Sequence, residues 1–391
     1  MELYFRYIYF GKKIGMNRLG WILLVLLSAS PAWCAKKITV QQLKNTLTSM
    51  HQARKSDADV ATALQQVVLS EELTQPSMHE LESLLPGPQA QSQLRCLAVQ
   101  SAVLTPPAEE LPAVPAPDLT TQKAILAKAV DYVTKAYMHN PRLIASKTTT
   151  IYGEAVRGVT FADLSLTNSL RDLPMQMGEL VTHTTEVESE NGIEKAQPAP
   201  VGKAASTRLV MPQSTAGPVL SFILAQAAEA GSLAWLRWES IQGKPAAVFS
   251  FAVDKAKSRY EVNYCCFPLF NTRKIGQSDM YFDVASGAFK ATVPYRGRFY
   301  IDPDTGTVLR LITQAELPAA APVHIEDMRI DYGSISVGGR SLIVPLATET
   351  LAALVPGGEN DVSQYKEVHR YTAADYGGYR LAANDKTETP R

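Results

Sequence analysis

The chain has 391 residues, with 38 basic and 38 acidic side chains, 46% hydrophobic and 19% charged residues. That length allows two or three packed domains, and the even charge balance excludes the basic stripe on which nucleic-acid binding depends. With 24 Pro, 23 Gly and 4 Cys, the composition is that of a globular chain and not of a disordered, collagenous or disulfide-dense one.

The first 34 residues read as a signal peptide. Met16-Asn17-Arg18 forms a short basic region, residues 19–27 an apolar run, and residues 28–35 a small-residue stretch broken by Pro31. Because Met16 opens a complete signal by itself, residues 1–15 read as an extension from an upstream start. Without the leader 34 basic and 37 acidic groups remain, about −3 in formal charge. The apolar run is too short to span a membrane, and no later segment approaches a span, so the expected mature protein is exported, periplasmic or extracellular. Cys96, Cys265 and Cys266 survive cleavage. In an oxidising compartment they allow a bridge from Cys96 to one of the pair, a vicinal bridge, or free buried thiols.

Residues 35–104 carry a helical period. Thr39 with Gln42, Ser56 with Asp59, and Ser77 with Glu80 have capping-box spacing. Apolar stripes follow at Val40, Leu43 and Leu47, at Val60, Leu64, Val67 and Val68, at Leu81, Leu84 and Leu85, and at Leu94, Leu97, Ala98 and Leu104. Residues 105–117 form a Pro-rich, stiff linker. Asp118 then caps a helix with a wide apolar face from Ile125 to Tyr137.

After Pro141 the period becomes two. Strands are expected over 144–152, 180–187, 233–241, 246–253, 260–266, 298–302, 308–315, 328–332, 342–347 and 365–371, several joined by Gly-containing turns. A helix from Pro218 to Gly231 interrupts them, residues 188–206 read as a polar loop, and residues 376–391 as a flexible tail. Short Gly turns between consecutive strands imply an antiparallel meander with one wet face and one buried face. On the buried face the period places Phe249, Phe251 and Val253, and Trp238 together with Leu236. The expected fold class is therefore α+β: a small N-terminal helical module, then an antiparallel half-barrel sheet over residues 118–375 curled around helices.

Residues 235–267, 295–311 and 331–345, together with Asp57-Ala-Asp-Val60 and Leu85-Pro-Gly-Pro-Gln89, resemble a family of exported, uncharacterised bacterial proteins. More distantly, the part after Pro141, with its strand, Asp302-to-Gly306 turn, strand unit, resembles the outer-membrane lipoprotein-sorting carrier fold. That resemblance implies an incomplete barrel able to bind a lipid or lipidated partner, and a cysteine near Val344 that could bridge Cys265 or Cys266; valine stands there instead.

Motifs for catalysis are absent: there is no Gly-x-Ser-x-Gly, His-Glu-x-x-His, phosphate loop or Cys-x-x-Cys. Asp302, Asp304 and Gly306 lack the remaining positions of a calcium loop and read as a hairpin turn. His324 with Glu326 and Asp327, and Glu367 with His369, read as polar strand faces. No cofactor or metal is expected, and no enzymatic activity. The candidate ligand-binding residues are the aromatic set Trp238, Phe249, Phe251, Tyr260, Tyr264, Phe299 and Tyr300, as lining of a cavity for an apolar ligand. The competing expectation is a protein-interaction or regulatory module whose aromatics are solid core, and the third an enzyme with no recognisable motif.

Overall fold

The computed structural model describes residues 36–156, 175–195, 220–230, 232–265, 268–269, 283–284, 288–354 and 367–382. The leader, the Pro218 start and Gly231 stop of the central helix, and Cys266 lie outside them. Residues 37–391 form one compact unit.

The N-terminal part holds β1 (Lys36–Ile38), α1 (Val40–Gln52), α2 (Asp57–Gln65), β2 (Val67–Leu69), α3 (Gln75–Glu82) and α4 (Pro88–Ser101). Thr39 caps α1 in a full capping box with Gln42, and the Ser56 hydroxyl accepts from the Asp59 amide at the start of α2. The third cap is Thr74, three residues ahead of the expected Ser77, because Pro76 sits in the first turn where its missing N–H costs nothing. Val67 and Val68 belong to β2, paired with β1, and not to a helix. Asp57 reaches across to accept from the amides of Gln89 (3.0 Å) and Ala90 (2.9 Å) and so caps α4, whose Gly87 N-cap supplies no side chain.

The remainder comprises α5 (Leu119–Lys135), β3 (Leu143–Val156), β4 (Met175–Glu190), β5 (Ile193–Glu194), α6 (Leu220–Ala230), β6 (Ala234–Ile241), β7 (Lys244–Val253), β8 (Glu261–Cys265), β9 (Pro268–Leu269), β10 (Asp283–Val284), β11 (Ala288–Thr292), β12 (Tyr295–Ile301), β13 (Val308–Ala315), β14 (Val323–Val337), β15 (Arg340–Leu354) and β16 (Val368–Leu381). Ten strands form one antiparallel sheet in the order β5-β4-β3-β16-β15-β14-β13-β12-β7-β6. It does not close into a barrel, so β6 stands at one edge and β5 with β4 at the other. The meander from β6 to β16 returns to β3, which joins the two ends of the β-rich part. β16 runs through Leu381, so the expected tail begins later than residue 376. The expected polar loop at 188–206 starts as strand: Asn191 and Gly192, both at positive φ (54° and 74°), turn β4 into β5, an Asn-Gly hairpin signal.

Alternation along the strands sorts side chains onto two faces. Ala247, Phe249, Phe251, Val253, Tyr295, Phe299, Leu311, Met328, Ile330 and Tyr332 share a core with Ile125, Ala129 and Val133 of α5 and with Leu220, Ile223, Leu224 and Ala227 of α6. The opposite face is wet only in part, as at the exposed pairs Thr148 with Thr184 and Thr150 with Thr182. Tyr152, Val248, Tyr300, Leu309, Ile312, Leu351 and Tyr371 pack with Cys96, Val99, Ala102 and Val103 of α4 and the turn after it. Helices thus cover the inner face and, through α4, part of the other. The linker is tied down as well: the Thr105 carbonyl accepts from the Glu72 amide (2.8 Å), Glu110 accepts from Thr74 and Ser77 hydroxyls at 2.7 Å each, and the Pro115 carbonyl accepts from Trp238 Nε1 at 3.0 Å.

Where α4 and its flanks meet the sheet, charge is buried. Register places Arg310 opposite Asp331 and Arg329 opposite Glu349. Glu72, 2% exposed, descends from the helical part and accepts from Arg310 Nη1 (3.1 Å) and Arg329 Nη1 (2.9 Å). Asp331 accepts from both guanidiniums. Burial alone would raise the Asp331 carboxyl, but Arg329 and Arg310 more than offset it and hold it well below the usual range.

Candidate functional site

Of the seven aromatics of the expected cavity, the six whose side chains are described are not brought together around a space. Phe249, Phe251 and Phe299 are 1%, 3% and 0% exposed and Tyr260 8%, closed over by α5 and α6. Phe251 lies 4.7 Å from Phe299 and Tyr260 stacks on Tyr295 at 4.9 Å between ring centroids, the spacing of packed core rings. Tyr300 points to the opposite face, beneath Arg310. Trp238 packs at the margin of the core, but with Trp235 (4.9 Å) and not with Leu236, which is 41% exposed. The reason is a bulge between Trp235 and Arg237 that shifts the alternation by one. Tyr264 lies on β8, and its side chain is outside the described residues. The described members of the set thus pack as core or at its margin, because helices fill the face.

Cys96 is a free thiol, 3% exposed, so the bridge from Cys96 is not formed. The apolar contacts of α4 with the sheet enclose it, and burial pushes the thiol up to about 12. The vicinal alternative rests on Cys266 and on the Cys265 side chain, both outside the described residues. Cys96 is expected to escape iodoacetamide in the native protein and to react fully in denaturant, as read by peptide mapping. Recovery of Cys96 in a disulfide-linked peptide would contradict this.

Of the polar strand groups, His324 parts from Glu326 and Asp327, whereas Glu367 and His369 stay together. Glu326 lies buried on the face covered by α5 and α6, whereas Asp327 bonds Gln314 Nε2 at 2.8 Å. His324 instead meets Glu367: its Nδ1 contacts Glu367 Oε2, while His369 Nε2 lies 3.3 Å from Glu367 Oε1 and His369 Nδ1 3.6 Å from Glu154 Oε2. This chain of alternating imidazoles and carboxylates ties β14, β16 and β3 together at one end. Among the described residues no group of three or more His, Cys, Asp or Glu side chains could hold a metal ion. The Asp302 turn is a hairpin: Asp302 Oδ1 accepts from the amides of Asp304 (2.9 Å) and Thr305 (3.2 Å), and Lys128 Nζ of α5 sits on the Pro303 and Asp304 carbonyls. Those carbonyls face an ammonium, which excludes a cation from the same oxygens.

A cavity does open at the other end of the helix-covered face, under β3, β14, β15 and β16, with a volume of about 60 Å³. Tyr137, Tyr332, Tyr376 and Tyr379 line it with Asn140 and Glu194. The 3₁₀ turn after α5 (Tyr137–His139) delivers Tyr137, whose ring meets Tyr332 edge-on at 5.8 Å and whose hydroxyl donates to the Gly192 carbonyl at 3.1 Å. Gly192 is required there: a Cβ would stand 2.4 Å from Tyr137 Cε1, and the backbone is left-handed at φ 74°. Asn140 Nδ2 donates to the Ile343 carbonyl (2.8 Å) and Tyr379 to that of Pro345. Glu194 on β5 accepts from Lys147 Nζ (2.9 Å) and from the Tyr376 hydroxyl (2.8 Å), and Lys147 Nζ stands 5.1 Å from the Tyr376 ring centroid. Burial first, and then Glu194, push the Tyr376 hydroxyl above its ordinary value, so it stays a donor. Sequence reasoning missed this cluster, whose members span residues 137 to 379. The one local signal was the Asn191-Gly192 hairpin; the pairing of Lys147 with Tyr376 across β3 and β16 joins residues far apart in the chain.

Fold and site define an open, antiparallel α+β sheet protein, helix-covered on its inner face and in part on the other, with a small tyrosine-lined cavity under the sheet; among the described residues a wider hollow of about 510 Å³ lies on the helical part between Met50, His51, Arg54, Val60, Leu84 and Pro86. No protein-family model and no curated protein matches the chain. Among solved structures it is similar to one titled "The complex structure of Pseudomonas aeruginosa MucA/MucB", at 9% identity over 65% of this chain and 94% of that chain, with a TM-score of 0.19. So low a score carries no argument, and the resemblance to the lipoprotein-sorting carrier is not confirmed. Among the described residues no helix is long and apolar enough to cross a membrane.

Proposed function

We propose that the protein is an exported, non-enzymatic binding module that holds a partner at its surface and carries no acyl chain in its interior. The observation that supports this reading is the filling of the sheet's inner face. Ligand pockets for drug-sized molecules run to about 300–1,000 Å³, and the tyrosine cavity has about 60 Å³. Carriage of an apolar ligand or a lipidated partner would require α6 to leave. That would expose Leu220, Ile223 and Leu224, now 1%, 0% and 4% exposed, at a cost of roughly 6 kcal/mol on the transfer scale. It would also break the anchors of Gln226, which donates to the Lys257 carbonyl (3.0 Å) and accepts from the Tyr295 hydroxyl (2.9 Å). Export rests on the signal-like leader.

Titration with a dansyl-labelled fatty acid tests the reading: no saturable fluorescence increase is expected. Stoichiometric, saturable uptake at micromolar concentration would overturn it in favour of the carrier.

A further inference from the structure

We propose that the tyrosine-lined cavity is a binding site for an ammonium group, the cationic end of a small amine or of a partner's lysine; this rests on the reading of the protein as a surface-binding module and names what one site on it takes. Among the cavity's lining residues Glu194 is the single charged side chain, and no cationic side chain is included. A carboxylate or phosphate entering it would meet that carboxylate, and the one ammonium nearby, Lys147, is already engaged with it at 2.9 Å. A cation meets the carboxylate and the rings of Tyr137, Tyr332, Tyr376 and Tyr379, and ring faces attract cations through their quadrupole.

The cavity is small: at about 60 Å³ it falls well below the roughly 300–1,000 Å³ of pockets for drug-sized ligands, which suits a group the size of a methylammonium and not an acyl chain. The cluster already holds one ammonium. Lys147 Nζ, 2.9 Å from Glu194 Oε1 and 5.1 Å from the Tyr376 centroid, makes the two contacts that an incoming cation would make. Lys147 is therefore an internal competitor: while it engages Glu194, part of the site's attraction is spent within the chain, and removing its charge returns the carboxylate and the Tyr376 ring to the ligand.

The test is methylammonium chloride titrated into the full chain, with methanol as the neutral counterpart and formate as the anion, followed by the NMR signals of the tyrosine rings. Saturable shifts confined to the tyrosines of this cluster are expected with methylammonium alone. Lys147→Met is expected to bind it about tenfold more tightly than the native protein, and Glu194→Gln about tenfold more weakly. A merely structural role for Lys147 predicts no gain of affinity in the variant. If methanol shifts the same rings with equal affinity, the cavity binds but the cationic class is wrong. If methylammonium leaves the rings unmoved in the native protein and in Lys147→Met alike, the site itself is overturned, while the fatty-acid titration still decides the wider reading independently. Should Lys147→Met fail to fold, Lys147→Gln and the native protein compared with Glu194→Gln carry the same decision.

Discussion

Glu72→Ala is expected to destabilise the protein by about 3 kcal/mol, the lower end of what removing one partner of a buried ion pair costs. Its carboxylate is the single acidic group that the helical part sends to Arg310 and Arg329, which are 6% exposed each. The loss does not reach the upper end because Asp331 stays bound to both guanidiniums and Glu349 lies 3.4 Å from Arg329 Nη1. Two effects add up in the variant: one acceptor is lost to each arginine, and a cavity opens between α4 and the sheet. Urea unfolding should show the midpoint falling with an unchanged slope, since the protein still unfolds as one unit. A separate early transition of residues 37–104 in the native protein, or a change below 1 kcal/mol in the variant, would contradict the account of a two-faced sheet locked by this cluster.

The opposite sign is expected for Glu326→Gln. Glu326 is 7% exposed on the apolar face of the sheet, and burial, followed by the neighbouring Asp327 carboxylate, pushes it up to about 8 from 4.5. The folded protein therefore holds a proton that the unfolded chain releases above pH 4.5. Between those two values the folded state binds more protons, so stability falls as pH rises, by about 1.4 kcal/mol per unit, and levels off above pH 8. The summed loss is about 5 kcal/mol, and glutamine, which cannot ionise, removes it. At pH 4 variant and native protein should be similar in urea; at pH 8 the variant should be several kcal/mol more stable. Asp327, pushed up to about 6, adds a slope of the same sign below that pH in both proteins and cancels from the difference. Parallel pH profiles for the two proteins would refute the assignment.

The parts of this architecture that sequence reasoning reached are those written in short-range chemistry. The Thr39 capping box, the Asp302 to Gly306 turn, and β13 at residues 308–315 each depend on neighbours within a few positions. Phe249, Phe251 and Val253 likewise fall on one face by alternation alone. What escaped depends on pairing between distant strands. Arg310, Arg329, Asp331 and Glu349 look like a solvated strand face until register sets them against each other and Glu72 reaches them across more than 200 positions. For the same reason the second face was expected to be wet throughout, and the helical part to be set apart by its prolines. The bulge at Trp235 is a further case: a shift of one residue exchanges Leu236 for Trp235 on the core side, and no composition signal announces it. The tyrosine cavity was invisible because its walls come from α5's end, β14 and β16, and its carboxylate from a two-residue strand.

The central claim is that the sheet's inner face is closed by α5 and α6 and that the protein carries no acyl chain. Native mass spectrometry of the protein taken without detergent from its own cell envelope tests that most directly. The mass of the processed polypeptide alone is the predicted result, and a stoichiometric adduct with the mass of a lipid would contradict it.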